Sequence, residues 1–259
     1  MRYIHRPVAI TRPFAQAEPL VARLRASGVD ARNFPLLDIQ PLNDTCQLQA
    51  VLARLSDYEM VAFVSPNAID AAFGHIGQWP AGLTAAVVGE GSRQALARHG
   101  LTPDRARIVS PSNLQRTDSE TLLEVLDLPA IAGKKVLIIR AETGRELLAD
   151  SLRDAGIEVD QVAAYRRCAP VMDDARRSQL VNLLTGQSDW VITSSEALRY
   201  LKEMTLEAAG AGAWTRLQMS TLIVPHERIA HTAEELGFQR LIRTGSGDEA
   251  LFAAIQSRT

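Results

Sequence analysis

Ser65 and Asn67 in FVSPNA, Ser92 in VVGEGS, Ser119 in DSETLL and Ser194 in TSSEAL all stand where a helical pattern begins. A hydroxyl or amide at such a position can accept a free backbone N–H and cap the helix. The same free N–H groups, together with the positive end of the helix dipole, can hold carboxylate or phosphate oxygens. One turn can do both. Arg12, Arg140, Arg145 and Arg228 fall in turns of the same kind, beside Thr11, Gly89, Gly144, Thr193 and His226. A planar guanidinium grips a carboxylate through two parallel hydrogen bonds, so these turns suit an anionic ligand. Nearly all the basic residues are arginine, which genomic base composition also explains, so position has to decide between the two readings.

Tyr165 stands apart, in Ala163-Ala164-Tyr165-Arg166-Arg167. One reading is an amphipathic aromatic on an exposed strand. The other is a phenol facing a ligand as hydrogen-bond donor or weak acid. Other chemistries find less support. Gly89-x-Gly91 follows an apolar run, but Gln94 stands where the third glycine of a dinucleotide fingerprint belongs, and there is no GxxxxGK[ST]. Asp118, Glu120, Asp248 and Glu249 are paired carboxylates at helix starts, where they complement the dipole. His226 and His231 are five apart and do not share a helical face, so no metal is expected. No GxSxG elbow or Cys–His pattern occurs.

The elements that must position these residues repeat. Val136–Ile139 reads as a buried strand, a turn over Arg140–Gly144 follows, Leu147, Leu148, Leu152 and Ala155 have helical spacing, and Gly156 closes the helix. Ile157, Val159 and Val162 then alternate as a strand. The same unit begins at Val8: Arg12 pairs with Arg140, Glu18 with Glu146 and Gly28 with Gly156, each 128 apart (140 − 12) without a gap. Leu37 stands opposite Tyr165, so the shared plan does not require the tyrosine. Later segments repeat too: Ser65 with Ser194 at a shift of 129, Val87–Gly100 with the stretch through Gly237 near 136, and Ser119 with Asp248 at 129. Strands are expected at Val8–Thr11, Val29–Phe34, Met60–Val64, Ala85–Val88, Arg107–Val109, Trp190–Thr193, Thr221–Val224 and Leu241–Arg243. Helices are expected at Glu18–Ala26, Leu48–Leu55, Ala68–Phe73, Arg93–Arg98, Thr121–Leu126, Ala197–Lys202 and Ile229–Leu236, and after Gly247. Pro35–Pro41 reads as an extended linker or edge segment. Alternating strands and helices imply parallel sheets, whose ligands bind beyond the carboxyl ends of the strands.

At 259 residues, two domains of ordinary size are expected. The net charge of −2 argues against a general nucleic-acid binder. No apolar run is long enough to span a membrane, and the opening MRYIHRPVAITRP lacks a long apolar signal region. Cys46 and Cys168 form no disulfide framework or zinc pattern, which fits a reduced cytoplasmic setting.

TRP near the start, FVSPNA, VVGEGS, DSETLL, IRAETGRELLADSLRDAGIEV, AYRR, TSSEAL and VPHERIAHTAEELGF occur in an order that resembles uroporphyrinogen-III synthases over nearly the whole chain. The resemblance implies two similar parallel-sheet α/β domains with a ligand cleft between them, joined by two extended linker strands at about 33–41 and 161–170. One domain is discontinuous, 1–36 with 170–259, and the other spans 40–163. It implies a cofactor-free monomer acting on hydroxymethylbilane, a linear tetrapyrrole polycarboxylate, with no nucleic-acid or membrane partner. The hydroxyl leaves as water, the terminal pyrrole is attacked at its substituted carbon to give a spiro intermediate, and the reversed ring closes as the type III isomer. Tyr165 matches the family's cleft tyrosine and would assist departure of the hydroxyl. Ser92 matches a position often threonine in the family. Two rivals are a two-domain small-anion binding or sensor protein and a nucleotide-sugar transferase; the latter lacks a recognisable phosphate loop.

Overall fold

The computed structural model describes residues 6–111 and 118–258. In chain order the elements are β1 (Val8–Ile10), α1 (Phe14–Ala26), β2 (Ala31–Asn33), β3 (Asp38–Pro41), α2 (Cys46–Leu52), β4 (Met60–Phe63), α3 (Pro66–Phe73), β5 (Thr84–Val87), α4 (Glu90–Arg98) and β6 (Ile108–Val109). There follow α5 (Ser119–Val125), α6 (Leu128–Ile131), β7 (Lys135–Ala141), α7 (Leu147–Asp154), β8 (Glu158–Cys168), α8 (Asp174–Thr185), β9 (Asp189–Val191), α9 (Ser195–Leu217), β10 (Thr221–Val224), α10 (Glu227–Glu235), β11 (Arg240–Arg243) and α11 (Asp248–Gln256). Among the described residues no helix is long and apolar enough to cross a membrane. Cys46 and Cys168 are free thiols.

The chain divides into two compact units: residues up to Asp38 with those from Cys168 onward, and Ile39–Arg167 between them. The first unit holds a five-stranded sheet ordered β11-β10-β9-β1-β2; the second holds a six-stranded sheet ordered β3-β8-β7-β4-β5-β6. Apart from β3 the two orders correspond, with β7-α7-β8 in the place of β1-α1-β2. The sequence repeat is therefore a repeat of topology in which each unit completes its sheet with strands from the other half of the chain. The ladders within β2-β1-β9-β10-β11 and β8-β7-β4-β5-β6 are parallel. Their inner strands β1, β9, β10, β4, β5 and β7 are buried on both faces, as a sheet covered on both sides requires. In the second unit Val61, Phe63, Leu137 and Ile139 pack under α2, α3 and α4, while Met60, Ala62, Val136 and Ile138 pack under α5 and α7. In the first, Trp190 and Leu222 face α8, α9 and α10, while Val8, Ile10 and Ile223 face α1 and α11.

Most expected elements are present, with several differences. Helix α1 starts at Phe14, upstream of Glu18, and runs through Pro19. Helix α8 has no counterpart among the expected elements: within Asp174–Thr185 only Leu180 and Leu183 are buried, too narrow a stripe to stand out. Helix α9 runs far beyond Lys202 to Leu217, broken at Gly210 (φ 75°, ψ 179°). Pro35–Pro41 yields β3, an edge strand on β8, and Pro41 ends it where no ladder donor is needed. Arg140 belongs to β7 rather than to a turn. Residues 1–5, within the opening stretch, lie outside the described residues.

Candidate active site

In a doubly wound sheet the loops beyond the strand carboxyl ends converge where the connections diverge in opposite directions. That point lies between β4 and β7 in the second unit, and between β9 and β1 in the first.

In the second unit β4 leads into Ser65, whose Oγ accepts the Ala68 N–H at 3.1 Å and caps α3, with Pro66 at the first helical position. Gly89 precedes α4 as its cap residue, and Ser92 lies one turn in, 2% exposed. A Cβ on Gly91 would stand 3.7 Å from Pro66 Cγ, so the first turns of α3 and α4 lie side by side. Asn67, at the second position of α3, is half-buried beside them.

Tyr165 completes this edge. Along β8, Val162 and Ala164 face the α2–α3–α4 core, and simple alternation would send Tyr165 to the opposite face. The ladder instead pairs Arg140 with Ala163 and Ala141 with Tyr165, so Ala164 is an inserted residue. Such a bulge re-aims the side chain that follows it. Tyr165 thus packs in the same core as Ala164, only 5% exposed, and the exposed-strand reading is corrected. Its hydroxyl lies 3.0 Å from Ser65 Oγ.

The loop after β7 is tied down from several sides. Arg140, 9% exposed, donates to Glu146 at 2.5 Å and to Gln161 at 2.7 Å. Gln161 donates to the other Glu146 oxygen at 2.7 Å. These two hydrogen bonds, the Gln161 one foremost, hold the Glu146 carboxyl below its ordinary range. Gly144 lies directly on this group: a Cβ there would fall 2.7 Å from Arg140 Nη2. Arg145 forms a forked pair with Glu120 at 2.5 and 3.0 Å, which raises the guanidinium pKa further. Arg167 donates to Thr143 O at 3.1 Å, and the Glu142 N–H to Tyr165 O at 2.9 Å. Arg140 and Arg145 are thus engaged with carboxylates of the chain itself.

In the first unit, Thr11 Oγ1 donates to Val191 O at 2.6 Å from a fully buried position and fastens β1 to β9. Arg12, 16% exposed at its side chain, pairs with Asp248 at 2.8 Å. Ser194 caps α9 by accepting the Ala197 N–H at 3.4 Å, the counterpart of Ser65. Thr193 precedes it, half-buried. His226 is the cap residue of α10 and its Nε2 lies 3.3 Å from Ser246 Oγ; Arg228 is exposed on the first turn.

Two expectations about helix starts are corrected. Ser119 is the first residue of α5, and Asp118 is its cap, accepting the Thr121 N–H at 2.9 Å in a capping box with Thr121. Asp248, Glu249 and Glu120 do more than complement dipoles: they hold Arg12, Arg23 and Arg145. Sequence reasoning missed Gln161, which nothing in the local pattern marks, and the role of Glu146, which the repeat aligned with exposed Glu18. It also missed Thr232, whose hydroxyl lies 2.9 Å from Ser195 Oγ and ties α10 to α9. Among the described residues no three His, Cys, Asp or Glu side chains gather as a metal site would need.

Residues 18–253 match the family described as uroporphyrinogen-III synthase HemD. The chain is 34% identical to the uroporphyrinogen-III synthase of Salmonella typhimurium (strain LT2), over 96% of this chain and 99% of that protein. It is 33% identical to that of Escherichia coli K12, with the same coverage. Its fold is similar to uroporphyrinogen-III synthetase from Helicobacter pylori 26695 (TM-score 0.61, 14% identity, 98% of this chain and 100% of that one). It is also similar to a mutant uroporphyrinogen III synthase from Thermus thermophilus (TM-score 0.58, 14% identity, 96% of each).

Proposed function

Because the chain belongs to the uroporphyrinogen-III synthase family, a family of cyclising lyases, we propose that it closes hydroxymethylbilane to uroporphyrinogen III with inversion of the terminal pyrrole and loss of water. The observation that carries a mechanism is the contact between Tyr165 and Ser65. Ser65 Oγ accepts the Ala68 N–H and lies 3.0 Å from Tyr165 Oη, a contact in which either hydroxyl can donate; this reading takes Ser65 as the donor. The phenol then keeps its hydrogen for a ligand. The chain of donors runs from the positive end of α3 through Ser65 to Tyr165, and each bond polarises the next.

In the reaction the C–O bond of the hydroxymethyl group breaks, its electron pair leaves with oxygen, and a proton on that oxygen makes water. Tyr165 hydrogen-bonds to the departing oxygen and assists that step. The electron-poor methylene is attacked by the substituted carbon of the terminal pyrrole to give the spiro intermediate, and the reversed ring closes. The unrearranged ring also forms without an enzyme, so the protein's task is to hold one conformer, a matter of positioning. The helix starts at Ser65–Asn67, Gly89–Ser92, Thr193–Ser194 and His226–Arg228 offer backbone N–H groups to the substrate carboxylates. Thr11 and Arg12 in the first unit, and Gly144 and Arg145 in the second, stand in loops at the strand carboxyl ends of their own sheets. In this reading Arg140 supports the loop and does not touch substrate, because Glu146 and Gln161 engage its guanidinium. A monomer in the cytoplasm, with its two thiols reduced, belongs to the same reading.

The deciding experiment gives the purified protein hydroxymethylbilane and resolves the product isomers. Type III product in excess of the enzyme-free control is expected. A product mixture equal to that control would remove the synthase reading and leave a small-anion binding protein in its place.

A further inference from the structure

The candidate active site lies at the carboxyl ends of the strands. A separate groove of about 470 Å³ opens at the opposite end of the first unit's sheet. Gln187 and Ser220 precede β9 and β10 there, Arg240 begins β11, and Arg6 lies just ahead of β1. The lining includes three arginines, Arg6, Arg216 and Arg240, and no aspartate or glutamate. Among the described residues none of the three has an ion-pair partner. Other arginines of the chain, Arg12, Arg23, Arg140, Arg145, Arg177, Arg243 and Arg258 among them, hold carboxylates.

Complementing helix dipoles does not account for this concentration of charge. The groove receives the carboxyl ends of α8 and α9, each equivalent to about half a negative charge, against three full positive charges. The remaining wall is uncharged, with Thr185, Gln187 and Ser220 beside an apolar stretch. Leu184, Ala213 and Leu217 line it, and Val181 and Met219 are 38% and 46% exposed there. The wall formed by α9 carries the break at Gly210, between the lining residues Ala209 and Ala213. At the rim Gln187 holds a left-handed backbone (φ 50°), the one positive φ outside glycine among the described residues.

We propose that this groove binds an organic anion: an oxyacid headgroup, carboxylate or phosphate, on an apolar body. Guanidinium groups match the planar, paired acceptors of such a headgroup, and a mostly apolar pocket of this size with a few polar anchors is the usual form of a small-molecule site. The strands' carboxyl edge is not involved, so this groove is independent of the synthase reading.

Calorimetric titration of the full chain tests it with four probes: octyl phosphate, octanoate, inorganic phosphate and octanol. Either octyl anion should bind at one site per chain, at least tenfold tighter than inorganic phosphate or octanol. The tighter of the two identifies the headgroup. The double variant Arg216→Ala/Arg240→Ala should lose at least tenfold in that affinity while keeping its circular dichroism and its isomer ratio from hydroxymethylbilane. Both positions are exposed, so the fold should tolerate the changes. Binding that persists unchanged in the double variant lies elsewhere and overturns the proposal. So does octanol binding as tightly as the octyl anions, or no binding by either anion.

Discussion

The hydroxyls of Ser65 and Tyr165 lie 3.0 Å apart across 100 residues of chain, brought together by one inserted residue in β8. The contact joins a helix cap to a phenol, so the two side chains should fail in different ways.

Tyr165→Phe removes only the hydroxyl and keeps the ring in the α2–α3–α4 core. Turnover of hydroxymethylbilane should fall by about 100-fold, within the usual range for a proton-donating side chain. The apparent KM should change little, and the melting temperature should stay within a few degrees. Unchanged turnover would take Tyr165 out of the mechanism.

Ser65→Ala loses both the cap and the hydrogen bond to the phenol. Stability should drop by about 1 kcal/mol from the cap, read by urea unfolding. Turnover should also fall, but adding the substitution to Tyr165→Phe should cost little further, since the two act as one unit. Fully additive losses in the double variant would show that they act separately.

Arg140→Ala leaves Glu146 and Gln161 facing an emptied space and should destabilise the chain by about 2 kcal/mol. Arg12→Ala, which frees Asp248 nearer the surface, should cost less than about 1 kcal/mol. If Arg12 touches a substrate carboxylate, its loss should raise the apparent KM several-fold with kcat nearly unchanged. Steady-state kinetics and unfolding on the same two proteins separate the roles.

Tyr58 donates to Asp160 at 2.6 Å, and Lys135 lies 3.1 Å from the same carboxylate. The phenol's hydrogen bond is the main reason the Asp160 carboxyl sits below its ordinary range. A depressed carboxyl contributes stability above its unfolded value, near pH ~4, that is lost as pH falls through the folded one. Tyr58→Phe should therefore lower stability at neutral pH by about 1 kcal/mol and make the loss between about pH 7 and pH 3 smaller. Equal acid sensitivity in both proteins would contradict this.

Arg258 and Asp189 form a pair at 2.6 Å with each side chain only 8% exposed. Arg258→Ala strands a buried carboxylate and should cost about 3 kcal/mol, seen as a shift of the urea midpoint. Arg258→Ala combined with Asp189→Asn should recover part of that loss.

How much of this is readable in the chain differs from element to element. Val136–Ile139, the helix closed by Gly156 and the equivalent unit at Val8 follow from apolar periodicity and from glycines that do adopt positive φ, 77° at Gly156 and 87° at Gly28. The caps at Ser65 and Ser194 follow from local chemistry. The bulge at Ala164 does not, because Ala163 and Ala164 are chemically alike and the ladder register depends on β7. Nor does the partner of Arg145: Glu120 is 25 residues away, and only the packing of α5 beside α7 joins them. The burial of Tyr165 escapes the pattern for the same reason, since alternation along β8 holds only up to the bulge.

The exchanged strands also set a timetable for synthesis. All the strands of Ile39–Arg167 emerge from the ribosome consecutively, so that sheet can close while the rest of the chain is still being made. Strand β1 must wait for β9: Thr11 bonds to Val191 across a separation of 180 residues. Until then the β1-α1-β2 unit, in which Val8, Ile10 and Leu20 already pack together, lacks the strand that covers its other edge, and Phe34 lacks Trp190, which makes this stretch the one for a nascent-chain chaperone to hold.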